Sequence, residues 1–254
     1  VFGDNEYKNL LEMNLMISEK TTFNNSDNRD FTINWVFRPE HFHPTYPKIS
    51  ITDINNDGKK ELYYASQTKK VYELDAVTGE IIRTWNFPIG QSSSRGTLLY
   101  EKNNKYYLLT SSTVSLPIRI YSLDLNKKNI EVDWQANLHG QFVETGINFY
   151  EDRFIVATRD SPYSRGSLYI FDIYGKRIFG PDKNIDICNG RPTIEKDFFV
   201  HGSHNFYNPK YGNSIIKRDF ETGNIIWVKN VGFDTGFVSS SIINFNNDKF
   251  SDVA

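Results

Sequence analysis

Nine consecutive residues of this chain have the spacing of an oxygen cage. In Asp53-Ile54-Asn55-Asn56-Asp57-Gly58-Lys59-Lys60-Glu61, side-chain oxygens recur at alternate positions. A hard cation such as Ca2+ takes about six to eight oxygens at ~2.3–2.6 Å. Asp53, Asn55 and Asp57 supply side-chain donors, Lys59 a backbone carbonyl and Glu61 a closing carboxylate. Gly58 permits the sharp turn because it has no Cβ to obstruct positive φ. The competing reading is an ordinary Asn-Asp-Gly hairpin turn. A second run, Asn244-Phe245-Asn246-Asn247-Asp248-Lys249-Phe250-Ser251-Asp252, repeats the spacing with less charge. Its donors would be Asn244, Asn246, Asp248, the Phe250 carbonyl and Asp252. Asn stands in place of the first Asp, and Lys249 in place of the glycine, so a cation would be held more weakly.

Other chemistry-bearing residues are scattered. His41 and His43 would share one face of an extended segment, but two imidazoles fall short of a metal site, and loop histidines at the surface are the plainer reading. Cys188 is the single cysteine, which excludes an internal disulfide and a cysteine metal cluster. There is no Gly-rich phosphate loop between a strand and a helix, and no G-x-S-x-G nucleophile elbow. A glycan-cleaving site would need two positioned carboxylates; Asp160 and Asp186 are the available loop candidates.

The elements that position these groups are β-hairpins. Residues 71–85, VYELDAVTGEIIRTW, read as a strand, a polar turn and a strand ending in an aromatic. Related hairpins occupy 118–134, 168–179 and 215–227. Their turn aspartates, Asp75, Asp124, Asp172 and Asp219, step by 49, 48 and 47 residues. Asp27 lies one step upstream. The exit aromatics Trp35, Trp85, Trp134, Phe179 and Trp227 keep nearly the same period. Between these hairpins lie others, turning at 102–105, 151–152 and 195–197. Residues 1–26 are the least legible, with a partial alternation that favours strand over helix.

Evenly spaced hairpins predict an all-β fold, a β-propeller of about five four-stranded repeats of ~48 residues. The rival is a sandwich with evenly spaced turns. One domain is expected over 1–254, with blades at 47–92, 93–140, 141–184 and 185–231. Residues 1–46 then supply the second half of a blade and 232–254 the first half. These halves complete one blade in a closed five-bladed ring, or each belongs to a larger propeller of six to eight blades.

Composition agrees. Aromatics are 15% of the 254 residues, which suits half-buried strands. The net charge of −2 implies no global attraction to nucleic acid or anionic membrane, and no apolar run approaches a membrane span.

The D-x-N-x-D-G-x-x-E loop resembles the FG-GAP and VCBS calcium repeats of integrin-α-like propellers. The LDAVTGEIIRTW and RDFETGNIIW hairpins look like the PQQ-type repeats of quinoprotein and outer-membrane-assembly propellers. Two hairpins lack the Thr-Gly pair, and two units lack the oxygen ligands. The resemblance implies an extracytoplasmic propeller, secreted, cell-surface or periplasmic, that serves as a binding scaffold stabilised by Ca2+.

In such a fold the calcium loops lie on one rim, and the loops joining second to third strands and blade to blade lie on the other. The long loops expected there are 159–166, 203–214, 38–47 and 180–191. They carry His43, Tyr46, Tyr163, Arg165, Arg191, His204, Phe206, Tyr207 and Tyr211. Aromatic and arginine enrichment is typical of binding surfaces, although long loops also tolerate insertions without a role. The function expected is non-enzymatic binding of a protein or glycan through this rim. The alternative is a fragment of a propeller enzyme, quinoprotein dehydrogenase-like or polysaccharide-degrading. Small size and the absence of a vicinal cysteine pair weigh against a quinoprotein.

Overall fold

Every turn aspartate closes the third strand of an antiparallel sheet. The computed structural model describes residues 34–37, 49–66, 70–88, 91–92, 97–113, 118–140, 143, 147–160, 164–185, 192–203, 211–233, 235, 242–243 and 252–253. The first sheet runs β1 (Ser50–Thr52), β2 (Glu61–Ser66), β3 (Lys70–Asp75), β4 (Ile81–Asn86), in chain order from one edge to the other. The second contains β5 (Gln91–Ser92), β6 (Leu98–Lys102), β7 (Lys105–Thr113), β8 (Ile118–Asp124) and β9 (Glu131–Leu138). Both β5 and β6 pair with β7, at its two ends, and so share one edge position. The third is β10 (Ile147–Tyr150), β11 (Arg153–Asp160), β12 (Ser164–Asp172), β13 (Arg177–Ile185); the fourth is β14 (Thr193–Glu195), β15 (Phe198–Ser203), β16 (Ser214–Asp219), β17 (Ile225–Asn230). A two-stranded hairpin, β18 (Ile242–Ile243) with β19 (Asp252–Val253), follows.

The four turn aspartates occupy equivalent places. In each sheet the residue after the aspartate donates its N–H to a carbonyl of the hairpin formed by the first two strands: Ala76 to Lys60, Leu125 to Tyr106, Ile173 to Asp152, Phe220 to Asp197. At three of the turns a glycine with positive φ donates back to the aspartate carbonyl: Gly79 to Asp75, Gly175 to Asp172 and Gly223 to Asp219. The carboxylates cap the turns as well. Asp75 accepts from the N–H groups of Val77 and Thr78, both at 2.8 Å. The Thr78 and Val77 donors hold its carboxyl below the usual range. The Thr222 hydroxyl, then its N–H, does the same to Asp219. The other hairpins turn where expected, through positive-φ Asn103 and Asn104, Glu151, and Lys196.

The core lies between neighbouring sheets. Tyr63, Ala65 and Val71 of the first meet Leu108, Tyr121 and Leu123 of the second. Tyr100, Leu109, Ile118 and Ile120 of the second meet Phe154, Val156, Tyr169 and Phe171 of the third. Ile155, Ala157, Leu168 and Ile170 of the third meet Phe199 and Phe220 of the fourth. Middle strands are therefore covered on both faces and read as nearly continuous apolar runs. Outer strands such as β4 and β17 are mostly exposed.

The exit aromatics lock sheet to sheet. The Trp35 ring covers Gly79 so closely that a Cβ there would sit 2.6 Å from it, and Trp35 Nε1 donates to the Ala76 carbonyl at 3.2 Å. Trp134 covers Gly175 the same way and donates to Ile173 at 3.1 Å. Phe179 covers Gly223. The second sheet's turn carries no glycine. There Arg83 reaches across from β4 to the carbonyls of Leu125, at 3.0 Å, and Lys127. Trp85 turns instead onto Phe87 and Tyr121.

Candidate functional site

The loop between β1 and β2 folds the expected oxygen donors onto its own backbone. Asp53 accepts from the N–H of Asp57 at 3.1 Å and of Gly58 at 2.8 Å. Asn55 Oδ1 accepts from Asp57 at 3.1 Å, and Asp57 Oδ1 from Lys59 at 2.8 Å. Glu61, buried at the foot of the loop, accepts from Ile54 at 2.9 Å. Positive φ at Asn56 and Gly58 makes the bend. Asp53, Asn55, Asp57 and Glu61 are thus all drawn into one short loop at the end of β1. Among the described residues, no group of three or more acidic, histidine or cysteine side chains is arranged to hold a metal ion. In the second loop Asn244, Asn246, Asp248 and Phe250 lie outside the described residues; Asp252 pairs with Ile243 in β19.

Of the residues expected on the opposite rim, His43, Tyr46, Tyr163, Arg191, His204, Phe206 and Tyr207 lie outside the described residues, as do His41, Asp186 and Cys188. Arg165 falls within β12, so its loop is shorter than the 159–166 expected. Tyr211 opens the turn that leads into β16, beside positive-φ Asn213. Residues 180–185, expected in a loop, are strand: β13 continues to Ile185 through a bulged pairing with β12. Asp160 ends β11.

A charged cluster not anticipated from the sequence lies between the third and fourth sheets. Arg218, fully buried on β16, donates to Asp182 of β13 at 2.7 Å, to the Gly223 carbonyl at 2.9 Å and to His201 Nε2 at 3.0 Å. His201 is buried in β15. Its Nδ1 donates to the Gly202 carbonyl at 2.9 Å, which leaves Nε2 free to accept from Arg218. Burial, then the Arg218 charge, pushes the imidazole down to about 3, so it stays neutral. Beside the cluster is an open pocket of about 500 Å3, lined by Phe179, Pro181, Asp182, Arg218, Asn224 and Ile225 among others. The signal was present in the repeat. The residue before the turn aspartate is Leu74, Leu123 and Phe171 in three sheets, and Arg218 in the fourth.

Two more buried charges are spent on packing. Glu73 pairs with Arg83 at 2.5 Å; burial pushes its carboxyl up and the guanidinium opposes this. Lys102 pairs with Asp133, and its ammonium lies 4.3 Å from the Tyr107 ring centre. Among the described residues no helix is long and apolar enough to cross a membrane.

No protein-family model matches the chain, and no curated protein matches it significantly. Solved structures do. The quinohemoprotein alcohol dehydrogenase ADHIIG from Pseudomonas putida HK5 aligns over 76% of this chain and 37% of its own, at 12% identity and a TM-score of 0.52. A chain of the mitotic checkpoint complex aligns over 68% of this chain and 50% of its own, at 13% identity and 0.50. BamB from Moraxella catarrhalis aligns over 74% and 53%, at 15% identity and 0.48. This chain therefore spans about half or less of the length of these structures. At such identities the likeness concerns the fold alone. With four sheets built on one plan, the fold is an all-β propeller of four-stranded antiparallel blades.

Proposed function

We propose that this chain is a non-enzymatic, extracytoplasmic binding or scaffold propeller, stabilised by Ca2+, that engages a protein or glycan through the rim opposite the calcium loop. The fate of the buried charges carries this reading. Glu73 with Arg83, Lys102 with Asp133, and Asp182 with Arg218 are each tied into the packing. That arrangement suits a rigid platform whose specificity lies in its loops.

The donor set of the 53–61 loop suits a hard cation. Three carboxylates and an amide oxygen lie within nine residues, and bound Ca2+ would have to draw them together from their present backbone hydrogen bonds, which leave further lone pairs. Bound Ca2+ would relieve the repulsion among Asp53, Asp57 and Glu61. Extracellular modules bind at about 10⁻⁴–10⁻³ M, a range that millimolar external calcium half-fills or better and cytosolic calcium does not. The linkage gain is ~2.7 kcal/mol when calcium is a hundredfold above Kd. Thermal melts in calcium and in EDTA, on the parent and on Asp57→Ala, test the proposal. Calcium should raise the parent's Tm and leave the variant's unchanged. Equal responses, or none in either, would reduce the loop to a turn.

A further inference from the structure

We propose that the notch between the outer strands of the third and fourth sheets binds a neutral sugar, its hydroxyls held by Arg218 and Asp182 and its C–H face by Phe179. The notch opens beside the turn after β16, at the end of the molecule that carries the 53–61 loop. It is therefore separate from the rim assigned above and does not rest on that reading.

Three departures from the repeat meet there. Arg218 stands where the other sheets have Leu74, Leu123 and Phe171. Phe179 covers its glycine as Trp35 and Trp134 cover theirs, but with a smaller ring. It has no indole N–H, and the Phe220 carbonyl, counterpart of Ala76 and Ile173, accepts from Arg153 at 3.3 Å instead. The third departure is a bulge. All four outer strands slip in register beside their turns. Among the described residues β13 alone slips again, through Gly180 and Pro181, which brings Asp182 opposite Leu168. A Cβ at Gly180 would sit 2.2 Å from the Leu168 carbonyl, so the bulge requires glycine.

Stability does not account for these exchanges. A buried ion pair gains little over well-packed apolar side chains, and leucine fills the same place in two other sheets. What the exchanges produce is a cavity of about 500 Å3 with a charged floor, within the about 300–1,000 Å3 of small-molecule sites.

The lining fits a sugar. Asp182 answers the Arg218 charge, so the floor offers donors and acceptors with no net charge, which favours hydroxyls over an anion. Among the described residues, the contacts of Arg218 to Asp182, Gly223 and His201 use three of the five N–H groups of a guanidinium. One remains on each terminal nitrogen. A sugar hydroxyl can accept there and donate to a carboxylate through the same oxygen. The fixed contacts also hold the fully buried guanidinium in place before a ligand arrives. Phe179, its ring centre 5.8 Å from the guanidinium carbon, forms an apolar wall with Pro181 and Ile225. Asn224 adds an exposed amide at the mouth.

The test is an NMR titration of the whole isotope-labelled chain with methyl α-D-glucoside, methyl α-D-mannoside and methyl β-D-galactoside. At least one should shift the backbone N–H signals of Gly180, Asp182, Gly223 and Asn224, with a Kd of about 1–10 mM for a ligand of this size. Asn224→Trp should fill the mouth and abolish these shifts without lowering Tm, because the backbone of Asn224 makes the turn's hydrogen bonds. The parent's shift map stands whether or not that variant folds. Replacing Tyr163, Phe206 and Tyr207 by Ala should leave the shifts unchanged, which separates this site from the loop rim. The assignment is overturned if no glycoside moves these signals, if the shifts persist in a folded Asn224→Trp, or if the loop variant removes them. Glucuronate and a capped glycine–glutamine–glycine peptide are titrated alongside. Either one moving these signals where the neutral glycosides do not would give the notch to an anion or to a protein segment, and the sugar would be ruled out.

Discussion

At the scale of single residues, the most telling side chain is Arg218. It stands where the other sheets put leucine or phenylalanine, and its charge is answered by Asp182 from the sheet before. A buried ion pair gains little over apolar packing, but breaking one strands the other charge at about 3–5 kcal/mol. Asp182→Asn should therefore destabilise by about 3 kcal/mol in denaturant melts, less if the amide still accepts from the guanidinium. Adding Arg218→Leu should recover part of that loss, because the stranded charge leaves with it. If the double variant is less stable than the single, the pair is not the unit of stabilisation. His201 makes the cluster pH-dependent. Its folded value, about 3, lies below its ordinary 6.5. Between those values the unfolded chain takes up a proton that the native state refuses. Stability is then full above pH 6.5 and falls, by at most about 1.4 kcal/mol per unit, as pH drops toward 3. The carboxyls of Asp75 and Asp219 are depressed from 3.8 and so act only at the acid end of this range. Urea melts from pH 7 to 4 should show the slope in the parent. In His201→Gln, whose amide oxygen can still accept from Arg218, the slope should be reduced.

At the scale of elements, the joint between sheets is an aromatic seated on a glycine. Two separate demands fall on that glycine: positive φ, and no Cβ under the ring. They can be separated by comparing Gly175 with Gly232, which has a similar φ of +78° but open space around its Cα. Alanine at Gly232 meets only the left-handed backbone cost, about 1–2 kcal/mol. Alanine at Gly175 meets that and a Cβ 2.6 Å from Trp134, with about 1–3 kcal/mol more from overpacking. Chemical denaturation should place Gly175→Ala below Gly232→Ala by that difference. Equal losses would mean that the tryptophan moves aside freely and does not couple the sheets. The Arg83 bridge, which serves the one turn without glycine, indicates that the coupling matters more than the means.

At the scale of the whole molecule, strand order carries the loops to two opposite ends. Turns after first and third strands gather at one rim, with the 53–61 loop among them. The opposite ends of these strands face the other rim. Replacing Tyr163, Phe206 and Tyr207 together by Ala should abolish retention on the immobilised protein or glycan that holds the parent. Tm should change little, since surface substitutions usually stay within about 0.5 kcal/mol. A variant that melts early would make these loops part of the packing instead.

The sequence by itself determined the local structure. Asp75, Asp124, Asp172 and Asp219 mark equivalent turns because a carboxylate that caps N–H groups two or three residues on needs no distant partner. Strand alternation, and hence the all-β fold, is local in the same sense. The oxygen spacing of 53–61 was legible too, as was the gathering of its donors in one loop. What only the tertiary structure decided are the meetings across sheets. Trp35 and Trp134 read as strand-ending aromatics, and nothing local says that each rests on a glycine some 40 residues away. His201 drew no reading at all, because alternation within β15 does not reveal that a neighbouring sheet covers that face. Residues 180–185 read as a loop from their Gly-Pro start, although a bulge lets β13 absorb them. Arg218, Asp182 and His201 come from three strands in two sheets. Their convergence depends on the angle and register at which those sheets pack, which no single stretch of chain encodes.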